Sequence, residues 1–107
     1  VRDDGPRIFF HEITGPQRIE VRFHEPIAQI KPENIKVIKK GGNEEIKVHS
    51  TEIAKNGRIL FIQTENLPET PEQFYEVTLK NIENLRGKTP SLNPRTLTVV
   101  YRPKLFY

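Results

Sequence analysis

The residues most able to do chemistry in this chain are its histidines, two of which stand beside a carboxylate, as His11-Glu12 and His24-Glu25. An imidazole next to a carboxylate could pass a proton or begin a metal site. Neither pair extends to a second His at the spacing that a helical zinc site needs. Both pairs fall on expected strands or strand ends, where adjacent side chains point to opposite faces, so the two members of a pair should not converge. His49 reads as an outward, solvated residue of an edge strand. Glycosidase chemistry needs two carboxyl groups held about 5 to 10 Å apart across a cleft. The glutamates here alternate with apolar residues or sit in turns, which is the pattern of a wet face. Ser50 and Ser91 are the only serines and neither lies in G-x-S-x-G. Gly41-Gly42 lacks the spacing and the following helix of a phosphate loop. The absence of cysteine excludes disulfides, thiolate metal sites and thiol catalysis. Calcium favours clustered carboxylates, and with Asp3-Asp4 the only aspartates no structural calcium is expected. The sequence therefore assigns no catalytic, cofactor-binding or metal-ligating residue, and leaves any substrate-binding residue unknown.

Sugar binding needs a separate test, because carbohydrate modules stack pyranose rings on exposed Trp or Tyr. There is no Trp, and the tyrosines are Tyr75, Tyr101 and Tyr107. Tyr75 begins a late strand, where immunoglobulin-like folds place a tyrosine corner, so it is expected to be buried. Tyr101 falls on the last strand. Tyr107 stands with Leu105 and Phe106 at the end of the chain, where apolar residues read as continuing into a neighbouring domain.

Composition narrows the partners further. The 107 residues suit one domain, and no apolar run approaches the roughly 20 residues needed to cross a bilayer. Seventeen basic residues against 14 acidic ones leave a net charge of only +3. The signs are intermixed, as in Glu44-Glu45-Ile46-Lys47, rather than gathered into the basic stripe of a nucleic-acid binder. A mixed surface rich in Lys, Arg and Glu, with abundant Ile and without Cys or Met, resembles a thermophile's composition. With no Met present, Val1 reads as a processing boundary and the chain as part of a longer one.

The elements that must position all these groups are short. The prolines and glycines lie between apolar blocks, marking breaks in strands. The blocks are four to eight residues long and rich in Ile, Val, Phe, Thr and Tyr, which is strand length and strand composition. Arg7–Glu12 follows Gly5-Pro6. In Arg18–Phe23, Ile19, Val21 and Phe23 alternate strictly with charged residues, so one face is buried. Asn34–Ile38 turns through Lys39–Asn43 into a return strand Glu45–His49. Asn56-Gly57 is a hairpin signal leading into Arg58–Ile62. Thr70-Pro71-Glu72-Gln73 resembles a capping box, with room for one helical turn before Tyr75–Leu79. Arg95–Tyr101 is last, stopped by Pro103. About seven antiparallel strands without intervening helices predict an all-β, immunoglobulin-like β-sandwich. Its predicted core is Ile8, Phe10, Ile19, Val21, Phe23, Ile35, Val37, Ile46, Val48, Leu60, Ile62, Tyr75, Val77, Leu79, Leu97 and Val99. Periodicity leaves the facing of Phe9, Ile38 and Val100 open.

Four segments, in order, resemble bacterial SbsA-type Ig-like domains. Phe23-His24-Glu25-Pro26-Ile27 is similar to the F-x-E-P-V element that closes the second strand. Asn56–Ile62 resembles N-G-x-x-L-x-I, and Leu67 with Tyr75–Leu79 resembles L-x(n)-Y-x-V-x-L. Asn81–Gly87 resembles the V-x-D-x-x-G-N loop, with Glu83 where Asp is usual and Lys88 in place of the final Asn. Pro6–Phe10 and Arg102–Tyr107 also resemble the edges of the accessory module in bacterial type I pullulanases. That resemblance implies an exported glycoside hydrolase acting on α-1,6 links of branched α-glucans, with its catalytic carboxylates outside these residues.

The expectation is one module over residues 1–107, with the sandwich proper at about 6–103. It is a monomeric, non-catalytic spacer of an extracellular or cell-surface multidomain protein, without cofactor. The alternative is a carbohydrate-binding or protein-docking module of a bacterial surface protein. Expected partners are neighbouring domains of the same polypeptide and a possible polysaccharide, with neither nucleic acid nor membrane insertion. Lys36, Lys39, Lys40 and Lys47, on or beside the third and fourth strands, oppose pairing of an open edge with another chain.

Overall fold

The computed structural model describes residues 5–42, 44–67, 73–89 and 94–101. Its strands are β1 (Ile8–Gly15), β2 (Arg18–Phe23), β3 (Ile35–Lys39), β4 (Glu45–Ile46), β5 (Val48–Ile53), β6 (Ile59–Thr64), β7 (Gln73–Leu79) and β8 (Arg95–Tyr101). One 3-10 turn, Pro32–Asn34, precedes β3. The strands form two antiparallel sheets, in the orders β1-β2-β6-β5 and β4-β3-β7-β8. That is the immunoglobulin arrangement, four strands facing three, with one short strand added beside the third.

Among the described residues eight strands replace the expected seven because Glu45–His49 is not one strand. Ile46 pairs with Val37 in one sheet, whereas Val48 pairs with Thr64 in the other. The chain changes sheets at Lys47. Its N–H donates to Glu65 Oε1 at 3.0 Å, and its carbonyl accepts from the Glu65 N–H at 3.0 Å. The crossing backbone is thereby satisfied where no ladder serves it. As a result Lys36 and Lys39 lie on an interior strand, not an edge, although β4 covers only two residues of it.

The first strand also departs from strict alternation. Ile8 pairs with Phe23 but Phe10 pairs with Arg22, so Phe9 is an extra residue, a β-bulge. Beyond the bulge the faces exchange. Phe10 becomes a half-buried outer residue, and Ile13, opposite Ile19, fills the inner position. Ile8 and Val48 pack only partly buried against the core. The other thirteen expected core residues are buried, and Ile13, Ile27, Ile30, Leu67, Ile82 and Tyr101 join them. A fully buried side chain of this size contributes roughly 1.5–3 kcal/mol. Periodicity could not place three apolar residues: Phe9 is 67% exposed, while Ile38 and Val100 are half-buried on the outer face of the second sheet.

The register fixes where the chain arrives and leaves. Ile8 lies beside Phe23, next to the 24–28 loop, and the Ile27–Asn84 bridge brings the 80–88 loop to that same end. Tyr101 pairs with Gln73, at the end that holds Lys39–Lys40 and Pro16. The chain thus enters at one end of the sandwich, here called proximal, and leaves at the other, here called distal. The molecule measures 45 × 28 × 22 Å along its principal axes.

Candidate functional site

A polar cluster lies at the proximal end, built from three separate turns, at 56–57, 24–27 and 81–88. Asn56-Gly57 makes the first. Gly57 adopts φ +74°, which a side chain disfavours, and a Cβ there would come within 3.0 Å of Pro26 Cβ. The Ile27 N–H donates to the Gly57 carbonyl at 2.9 Å, and the Phe23 N–H to that of Arg58 at 2.8 Å. Segment 23–27 therefore lies directly on the 56–58 turn. Asn56 Oδ1 accepts the Arg58 N–H at 2.9 Å and holds the turn in shape.

The third turn closes on Asn84, which is 1% exposed. Its Oδ1 accepts the N–H groups of Arg86 and Lys88 at 2.9 and 3.0 Å. Its own N–H donates to Lys88, and its carbonyl accepts from Gly87. Asn84, not the exposed Glu83, thus anchors this loop, and counting back three residues from Gly87 places Asn84 where the D-x-x-G element has its Asp. Arg86 Nη2 then meets Glu25 Oε1 at 3.2 Å, tying this loop to the 23–27 segment.

His24 joins the incoming chain to this cluster. Its Nδ1 accepts the Arg7 N–H at 2.8 Å, and its own N–H donates to the Arg7 carbonyl at 3.0 Å. Nδ1 also lies 3.3 Å from the Arg7 carbonyl, and Nε2 lies 3.4 Å from Glu25 Oε2. Gly5 and Pro6, just before Arg7, are buried. The expectation that His24 and Glu25 diverge is corrected here: both lie beyond the end of β2, where strand alternation no longer applies. The arrangement is a clamp on backbone groups, because Nδ1 is already occupied by the Arg7 N–H.

The outer face of the first sheet carries a ladder of stacked charge. The Arg18 guanidinium lies 4.0 Å from the Phe61 ring centroid and that of Arg22 lies 4.6 Å from Phe10. Arg22 Nε donates to Glu20 Oε2 at 2.6 Å between them. Depressions also lie among the described residues. One of about 610 Å³ lies between Lys36, Glu45 and Lys47 and carries both signs of charge; another, of about 340 Å³, lies beside Phe9 at the proximal end.

The remaining candidates stay apart. His11 stands opposite Val21 and Glu12 opposite Glu20, on alternate sides of an edge strand, both exposed. His49 and Ser50 are exposed on β5, the opposite edge of the same sheet. Tyr75 is fully buried, as expected, but its hydroxyl has no hydrogen-bond partner among the described residues, so the corner's usual bond is not made there. Burial first, then the Glu44 carboxylate and the Tyr101 phenol, push its pKa upward. Among the described residues no three His, Cys, Asp or Glu side chains gather to hold a metal. Asp3-Asp4, Thr70-Pro71-Glu72, Ser91, Pro103 and the Leu105–Tyr107 segment lie outside the described residues.

No protein-family model matches the sequence, and no curated protein does. Solved structures do match in fold. The N-terminal part of the bacterial S-layer protein SbsC superposes over 92% of this chain with a TM-score of 0.81 at 18% identity. Domains 1–6 of surface layer protein SbsC, and a further structure of the S-layer protein rSbsC, give the same three values. The match spans 24% of the first of those chains and 14% of the other two, so this chain corresponds to a small part of each. These comparisons lend no support to a pullulanase parent.

Proposed function

We propose that this chain is a non-catalytic spacer module of a larger bacterial cell-surface protein, holding its neighbours at a set distance and angle. The observation that carries the reading is geometric: Ile8 and Tyr101, where the described chain enters and leaves the sheets, lie at opposite ends of the sandwich. The incoming segment is fastened rather than loose, through buried Gly5 and Pro6 and the two Arg7–His24 bonds. A flexible linker of the same reach would hold neither distance nor direction. The likeness of fold to SbsC, an S-layer protein, supports a surface location and a multidomain setting. The test is to replace residues 5–101 in the parent polypeptide by a Gly/Ser linker and measure small-angle scattering. Loss of a defined maximum dimension supports the reading; an unchanged profile rejects it.

A further inference from the structure

The outer aromatic rings of the first sheet are treated unequally. Phe10 and Phe61 each lie under a guanidinium, from Arg22 and Arg18. Phe9 lies under none among the described residues, and it is 67% exposed. Its exposure is imposed by the backbone, since Phe9 is the extra residue of the β1 bulge. Bulges re-aim side chains and recur beside functional sites. A strand that simply alternated from Ile8 would have set Phe9 opposite Arg22, the place that Phe10 takes instead.

The re-aimed ring forms one wall of the 340 Å³ depression, with Ile59 as a second apolar surface and Arg22, His24, Asn56 and Arg58 around it. The base of this cup is rigid. The Arg58 N–H is held by Asn56 Oδ1 at 2.9 Å, and its carbonyl accepts the Phe23 N–H at 2.8 Å. Among the described residues the Arg58 guanidinium has no carboxylate partner, whereas Arg22 is already bound to Glu20. An uncovered aromatic face beside an unpaired guanidinium matches a ligand with a flat C–H face and a negative charge at its rim.

We propose that the cup around Phe9 binds a carboxylate-bearing sugar unit of an acidic polysaccharide, with the ring stacking on Phe9 and the carboxylate meeting Arg58. An extended peptide is disfavoured, although β1 is an edge strand, because the bulge interrupts the row of backbone groups that strand addition would use. A nucleic acid is disfavoured because, of the two phenylalanines lining the depression, only Phe9 is exposed as a platform, and the net charge is only +3. The site does not depend on the spacer reading; it is lined by residues of β1, the end of β2 and the 56–59 segment.

The experiment is a titration of the 107-residue chain, followed by amide chemical shifts, with trigalacturonate, maltotriose, a short oligo-dT and inorganic phosphate as the four probes. Saturable shifts centred on Phe9 and Arg58 with trigalacturonate, and none with maltotriose, support the site. Loss of one stacking face or one charge-assisted contact should weaken binding about tenfold in Phe9→Ala and in Arg58→Ala. Lys36→Ala, on the other sheet, should leave binding unchanged. Because Phe9 and Arg58 are exposed, both variants should melt as the parent does, and a melt control separates lost binding from lost fold. Absence of saturation, equal affinity for maltotriose, binding unaffected by Phe9→Ala, or tighter binding of oligo-dT overturns the proposal. Phosphate binding that matches trigalacturonate does so as well, since it would reduce the site to a point charge.

Discussion

Replacing Tyr75 by Phe should leave the protein as stable as before or make it more stable, against the usual outcome for a fully buried residue. The ring is 0% exposed and its hydroxyl has no partner among the described residues. A buried polar group left unsatisfied costs about 1–3 kcal/mol. Removing only the oxygen deletes that cost and leaves the ring's contacts in place, so the expected change runs from zero to a gain of about 2 kcal/mol. Removing the ring as well, in Tyr75→Ala, should cost about 3–5 kcal/mol. Urea unfolding followed by far-UV circular dichroism gives both values. A second signature lies at high pH. The Tyr75 pKa is raised above its ordinary 10.0 in the folded protein. The unfolded phenol therefore ionises first, and folding stability is full below about pH 10 and falls as pH rises through the folded value. Tyr75→Phe should lack that part of the alkaline decline. A loss above about 1 kcal/mol in Tyr75→Phe at neutral pH would mean the hydroxyl makes a stabilising bond, and the reasoning would fail.

Phe23→Ala should destabilise by about 3–5 kcal/mol, because Phe23 is 1% exposed at the centre of the proximal packing; denaturant titration measuring under 1 kcal/mol would remove β2 from the core. Gly57→Ala forces a side chain into φ +74° and within 3.0 Å of Pro26 Cβ. It should cost at least about 1–2 kcal/mol, read as a lowered melting temperature, and a neutral result would mean the 23–27 segment does not rest on this turn. Asn84→Ala removes an acceptor serving two N–H groups. A cost of about 1–3 kcal/mol is expected, with faster hydrogen exchange at Arg86 and Lys88 as the local sign; unchanged exchange there would contradict the clamp.

The parts of the fold that the sequence makes readable are those where one strand stays in one sheet. In β2, β6 and β7 every second residue faces the core without interruption, so Ile19-Val21-Phe23, Leu60-Ile62 and Tyr75-Val77-Leu79 declare themselves. Ile46-Lys47-Val48 has the same rhythm, yet its two apolar residues serve opposite sheets, and alternation alone carries no mark of the change. The bulge at Phe9 is equally silent, since Ile8-Phe9-Phe10 is apolar throughout. Ile27, Ile30 and Ile82 are buried from loops, where a single apolar residue has no period to betray it. The proximal cluster joins Glu25 to Arg86 across 61 positions, a distance over which charge pattern gives no pairing. Only the motifs hinted at it: the F-x-E-P, N-G and D-x-x-G elements of the resemblance are the three turns that meet there.

The central claim, that the incoming chain is fixed in direction by His24, is tested most directly by pulsed electron spin resonance on the intact polypeptide. One spin label replaces exposed Lys40 at the distal end, and the other sits in the neighbour that the proposed spacer role puts before Gly5. A single narrow distance distribution is expected, broadening in His24→Ala as the Arg7 N–H loses its acceptor. A distribution already broad with His24 in place would contradict the account.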